Sequence, residues 1–266
     1  MRRTVLSSSL AIAFAFALTF LASNAHAEST LQTVKARGAM IAGVRFDAPP
    51  YGYVDANGQN IGLDVEIAAE IAKRLGVKLE LIRVTGQSRI PTLNSGKVDL
   101  LVAALTRTAE REKVVDFTMT YITDGSAVVV KKGSPIKTPS DLNGRTVSYV
   151  QGTTADAGMK LLAPQAQITK FQEYPAAFLA FQQGITEAFI GQALGLDQFL
   201  KSDAGKYEVL RDLVVVDPTA IGVRKGDTEW KDALNEILKA MITDGTWSKI
   251  ITKHVSIPVE TPKVSP

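Results

Sequence analysis

LDVEIAAEIAKRLGVKLELIRVTGQSRIPTLNSGKVDLLVAAL, residues 63–105, changes its hydrophobic rhythm three times. Leu63, Ile67, Ile71 and Leu75 recur at every fourth position while Glu66, Glu70, Lys73 and Arg74 fall off that stripe. This spacing predicts a helix with one apolar face, closed by Gly76. Residues 77–84 then alternate in strand fashion. Residues 89–95 read as a short helix with Pro91 in its first turn, ending at Gly96. Residues 98–105 are apolar apart from Asp99, the pattern of a buried strand. With the compact apolar run 39–44 upstream, the order is strand, helix, strand, helix, strand. That order predicts a mostly parallel sheet covered by helices.

The same alternation restarts downstream. Residues 127–130, 145–150, 168–171 and 187–190 read as strands, and 153–162, 174–183 and 194–200 as helices. Thr138-Pro139-Ser140-Asp141 reads as a cap with Pro at the first helical position. A last strand at 220–223 precedes a long helix marked by Trp230, Leu234, Ile237, Leu238, Met241 and Ile242. This late strand and helix have no set of their own to join, so the simplest arrangement returns them to the first lobe. The expected domains are residues 28–124 with 219–266 as lobe 1 and residues 125–218 as lobe 2. The crossovers fall at 120–126 and 217–222, and a cleft between hinged lobes is the expected ligand site.

The first 27 residues belong to export rather than to the fold. Met1-Arg2-Arg3 is positive, residues 10–21 are almost purely apolar, and Ala25-His26-Ala27 is a small-x-small cleavage pattern. The apolar run is shorter than the ~20 residues that span a bilayer. Cleavage after Ala27 would leave roughly 240 residues, enough for one large domain or two lobes. The chain has no Cys, so neither a disulfide framework nor a lipid-bearing thiol is expected. Net charge is +3, and both signs are interspersed. Nucleic acid and membrane surfaces are therefore not expected partners. Of the two His residues, only His254 lies outside the leader, which argues against a His-based metal site.

Several stretches, in order, resemble the periplasmic polar amino-acid-binding proteins of ABC importers. They are residues 49–58 (PPYGYVDANG), 62–68 (GLDVEIA) and 72–77 (AKRLGV), then Thr106-Arg107-Thr108-Ala109-Glu110-Arg111 with Val115-Asp116-Phe117-Thr118. Gly152-Thr153-Thr154 and residues 222–227 (GVRKGD) complete the set. A narrower match, residues 85–93 (TGQSRIPTL), is similar to the glutamate/aspartate-binding branch. The resemblance implies an α/β fold of two lobes on a two-strand hinge, the type II periplasmic binding-protein architecture. It also implies a soluble periplasmic monomer without cofactor or metal, which delivers a small carboxylate or amino acid to an inner-membrane ABC permease and is not an enzyme.

The resemblance assigns roles to particular residues. Arg111 matches the arginine that holds the ligand's α-carboxylate, for which a planar fork can pair both oxygens. Spacing alone would instead read Arg111 as a surface partner of Glu110 or Glu112. Thr106 and Ala104 close the strand 98–105 near the same carboxylate. Thr153 and Thr154 follow a second-lobe strand at the start of a helix, where N–H groups suit an anion. Arg89 and Arg45 would meet a second carboxylate on the ligand side chain, and Tyr51 would wall the cleft. The departure is Gln192, at a position where the family usually has the Asp that pairs with the ligand's ammonium. Gln can accept a hydrogen bond there but supplies no charge. Two ligands therefore stay open, an acidic amino acid and an organic acid without an amine. An enzyme on this fold would need a proton donor in the cleft, for which Glu173 and Asp124 are the candidates.

Overall fold

The computed structural model describes residues 29–201 and 205–263. The export leader therefore lies outside the described residues. The chain opens with α1 (Thr30–Arg37), β1 (Ala39–Val44), the short β2 (Asp47–Ala48), β3 (Gly52–Val54) and β4 (Asn60–Ile61), and α2 (Leu63–Leu75). Next come β5 (Lys78–Arg83), α3 (Arg89–Asn94), β6 (Leu100–Leu101), α4 (Ala109–Glu112) and the long β7 (Val115–Lys131). The second series is β8 (Thr146–Val150), α5 (Ala155–Leu162), β9 (Gln167–Phe171), α6 (Tyr174–Gln182), β10 (Ala188–Gln192) and α7 (Leu196–Leu200). The chain returns through β11 (Tyr207–Arg224) and ends in α8 (Thr228–Thr243) and α9 (Thr246–His254). Among the described residues no helix is long and apolar enough to cross a membrane.

The sheet order is β5-β1-β6-β11-β7-β10-β8-β9. β1 lies parallel to β5 and β6, and β8 lies parallel to β9 and β10. Between these parallel sets run β7 and β11, paired antiparallel from Val115↔Arg224 to Lys131↔Tyr207. The expected crossovers face each other in the middle of that pair, where Thr123 is opposite Pro218. The strand expected over residues 98–105 is shorter, β6 ending at Leu101. Beyond it Ala104 takes a left-handed backbone with φ of 48°, and the carbonyls of Ala103 and Ala104 both accept from Arg89. Past residue 46 the chain adds a small antiparallel sheet of β2, β3 and β4.

Each parallel set has its own core. In α2, Leu63, Ile67 and Ile71 are buried at the expected spacing, Asp64 and Glu66 sit in the first turn, and Lys73 and Arg74 in the last. Both charge placements favour the helix dipole. That face packs with Met40, Val44, Tyr121, Ile221 and the α8 and α9 residues Trp230, Leu234, Leu238 and Trp247. The chain's end thus completes the core that its beginning opens. On the other side Val128, Val147, Tyr149, Met159 and Ile190 form one cluster. Tyr174, Phe178, Phe181 and Phe189 form a second, with the Phe178 and Phe189 rings edge to face at 5.4 Å.

Trp230 is fully buried and its indole N–H donates to the Asp99 carbonyl at 3.0 Å. Trp230→Ala would leave a cavity and an unpaired carbonyl. A loss of roughly 3–5 kcal/mol is expected, read as a lower urea midpoint in equilibrium unfolding.

Candidate functional site

The carboxyl ends of the parallel strands converge where the two halves of the sheet face each other. A narrow, nearly filled cleft lies there, with about 10 Å³ of free space, lined by Arg45, Arg89, Ala104, Thr106, Ser126, Thr153, Thr154, Tyr174, Gln192 and Asp217. Seven of the nine residues singled out by sequence stand in this lining. Tyr51 and Arg111 do not.

Arg89 opens α3 and is buried, 2% exposed. Its Nη1 donates to the carbonyls of Ala103 at 2.7 Å and Ala104 at 2.8 Å, and its Nη2 to the Gly152 carbonyl at 3.1 Å. Its Nε has no partner. Burial, together with repulsion from Arg111 and Arg45, pulls its pKa well below the ordinary arginine value. A chain of contacts fixes the carbonyls that hold it. Asp64, in the first turn of α2, accepts the Ala104 N–H at 2.7 Å and the Tyr121 hydroxyl at 2.6 Å. Burial pushes the Asp64 carboxyl up to about 6 against those two hydrogen bonds.

Arg111 sits in α4, capped by Thr108. Glu110 pairs with Lys113 and Glu112 with Arg107, so neither neighbour takes Arg111. Its fork turns inward, donating to the Thr106 carbonyl at 2.8 Å and to the Gly152 carbonyl at 3.0 Å. Among the described residues no carboxylate forms an ion pair with Arg89 or Arg111. Both guanidinium groups, held by one half of the sheet, share a carbonyl oxygen presented by the other.

Arg45, just past β1, differs from the sequence expectation. Asp47 holds its guanidinium at two points, 2.8 and 2.5 Å, and the group lies 5.1 Å from the centre of the Tyr174 ring. Burial disfavours this charge, but Asp47 outweighs that and raises its pKa. Its charge is thus already matched, although the side chain remains in the lining. Tyr51 is wholly buried in the core and donates to Asp124 Oδ2 at 2.8 Å. That hydrogen bond draws the ring away from the cleft, and Tyr174 supplies the aromatic surface there.

On the opposing side, Gly152, Thr153 and Thr154 lie between β8 and α5. Gly152 has φ of 74°. Thr153 donates to the Val150 carbonyl at 2.7 Å, and Thr154 donates to Asp217 Oδ2 at 3.0 Å. Gln192 ends β10, 8% exposed, with Oε1 unpartnered. Asp217, Tyr174 and Ser126 went unread as site residues in the sequence. Asp217 is the most telling, a lone acid in the apolar run VVVDPTAIGV that the sequence marks only as a crossover. It is 2% exposed, accepts hydroxyl hydrogen bonds from Thr154 and Ser126 through Oδ2, and has no partner at Oδ1. Burial raises its pKa, opposed by those hydroxyls, Thr106 and the Arg111 charge. The candidate proton donors are engaged elsewhere: Glu173 pairs with Arg83, and Asp124 accepts from Tyr51 and from the Leu194 N–H at 3.0 Å.

Residues 40–257 match the family described as bacterial extracellular solute-binding proteins, family 3. The ABC transporter glutamine-binding protein GlnH of Bacillus subtilis is 33% identical over 243 residues, 88% of this chain and 87% of that protein. An ancestral arginine-binding protein, solved with arginine, superposes with a TM-score of 0.79 at 35% identity, covering 82% of this chain and 98% of that one. The ancestral amino acid-binding protein AncCDT-1, described as a precursor of cyclohexadienyl dehydratase, gives 0.80 at 34% identity, covering 85% and 100%. The mixed α/β binding-protein architecture implied by the motifs is thus the architecture found.

The halves touch through backbone. A Cβ on Gly86 would stand 2.6 Å from the Gln151 carbonyl oxygen, a distance that packed atoms do not tolerate. Gly86→Ala should hold the halves apart. Small-angle scattering should give a larger radius of gyration than for the wild type, with a melting temperature within about 5 °C because no core contact is lost.

Proposed function

Because the chain belongs to family 3 of the bacterial extracellular solute-binding proteins, we propose that it captures an acidic amino acid, glutamate or aspartate, in the periplasm and delivers it to an inner-membrane ABC permease. The observation that carries this reading is the pair Arg89, buried in the cleft lining, and Arg111, half-buried beside it, both held by carbonyl oxygens alone. A buried charge without a counter-charge costs several kcal/mol after relaxation. A carboxylate entering the cleft offsets that cost for either fork.

Arg45 is matched by Asp47, whereas among the described residues Arg89 and Arg111 make no ion pair, so a ligand that brings carboxylates to both forks suits the site better than one that brings a further cation. The reading therefore departs from what the relatives' names say of their own ligands. A second reading, an organic acid without an amine, draws support from Gln192, which offers no charge to an ammonium.

In this reading residues 28–124 with 219–266 form one lobe and residues 125–218 the other, turning about the middle of the β7–β11 pair. A ligand gripped from both sides stabilises the closed arrangement. Permease delivery rests on the family and on the Bacillus subtilis relative, which is named an ABC transporter glutamine-binding protein. The ligand leaves chemically unchanged, since Glu173 and Asp124 are both committed to other contacts.

A thermal-shift panel of amino acids and small dicarboxylates checks the class, because a specific ligand raises the melting temperature by mass action. Glutamate or aspartate should give the largest shift. Calorimetric titration of Arg89→Ala and Arg111→Ala should each show affinity reduced at least about tenfold, ~1.4 kcal/mol. Unchanged affinity in both variants, or a panel in which no carboxylate binds, would remove the reading.

A further inference from the structure

An α-amino acid brings an ammonium as well as a carboxylate, and Gln192 offers that ammonium an acceptor but no counter-charge. We infer that Asp217, on the returning strand β11, receives the ligand's ammonium together with Gln192, so that the cleft selects amino acids over amine-free acids; this rests on the ligand-capture reading above.

Two side-chain oxygens in the cleft lining are buried with no hydrogen-bond partner, Gln192 Oε1 and Asp217 Oδ1. Both are acceptors. A buried acceptor left unpaired costs about 1–3 kcal/mol, and an ammonium offers three donors. The two residues reach the cleft from opposite sides of β7. Gln192 is in register with Ser126, and Asp217 with Asp124 two residues earlier on the same strand. Residues two apart on a strand share a face, and the Ser126 hydroxyl closes the gap by donating to Asp217 Oδ2 at 3.3 Å. Thr154 donates to the same oxygen at 3.0 Å. Oδ2 is therefore anchored by two hydroxyls and Oδ1 is the free oxygen.

The division of labour follows from charge. Asp217 supplies the full negative charge that Gln192 lacks, and Gln192 supplies a second, neutral acceptor. Among the described residues Asp217 forms no ion pair with Arg89 or Arg111, and its Oδ1 is open to a cation.

Affinities of the full-length secreted protein for L-glutamate and for glutarate, the same skeleton without the amine, test the assignment by calorimetry. The wild type should prefer glutamate by roughly tenfold or more. Asp217→Asn should lower glutamate affinity roughly thirtyfold or more, while glutarate stays within about threefold or tightens. Gln192→Asp added to Asp217→Asn should restore glutamate binding, since it returns the charge from the other side of β7. A purely structural role for Asp217, holding Thr154 and Ser126, would weaken both ligands equally, and that result would overturn the inference. A wild type that binds glutarate as well as glutamate would overturn it also, while leaving acid capture intact and needing no variant to fold. A wild type that binds neither overturns acid capture, and this inference falls with it.

Discussion

Two guanidinium groups, one buried and one half-buried, held against one peptide carbonyl set the terms for the rest of this molecule. Arg89 and Arg111 come from one half of the sheet, and the Gly152 oxygen they share comes from the other. Like charges brought together out of water repel, and dipoles of backbone carbonyls offset that only in part. Much of the surrounding architecture is legible as support for this placement. Asp64 fixes the left-handed Ala104, Ala104 and Ala103 present their oxygens to Arg89, and the Thr106 carbonyl steadies Arg111. The fold places two guanidinium groups and the carbonyl they share where the two halves of the sheet meet.

The long pair β7 and β11 makes this arrangement movable. Each parallel set buries its own apolar cluster, so neither needs the other for a core. What joins them, apart from the two strands, is largely polar or backbone contact. Asp47 accepts the Tyr174 N–H at 3.1 Å, Arg83 pairs with Glu173, and Gly86 meets Gly152. Such contacts exchange readily with water and cost little to break singly. A ligand bridging the halves therefore has leverage over their separation that a core contact would deny it.

Periodicity made the helices and their buried faces readable in advance. The stripe Leu63, Ile67, Ile71 and the run Trp230, Leu234, Leu238, Met241 are the faces that pack. The length of β7 and β11 was not readable. Thr120, Thr123 and Asp124 interrupt the apolar pattern, and it is the backbone ladder, blind to side chains, that carries the strands through them. Arg89 was found by motif, but the sequence gives no sign that Arg45 is satisfied by Asp47 two residues on. Asp217 escaped because a lone acid beside Pro218 reads as a turn, whereas its meaning comes from the strands beside it. Spatial neighbours across a sheet leave no trace in sequence spacing.

The most direct test is a crystal structure of the protein grown with L-glutamate. The account predicts a ligand carboxylate oxygen within about 3 Å of the Arg89 Nε, the nitrogen that is buried and unpartnered here, with Arg111 engaging the same ligand. Density for glutamate elsewhere, or a cleft in which Arg89 keeps only its carbonyl partners while the ligand is bound, would contradict it.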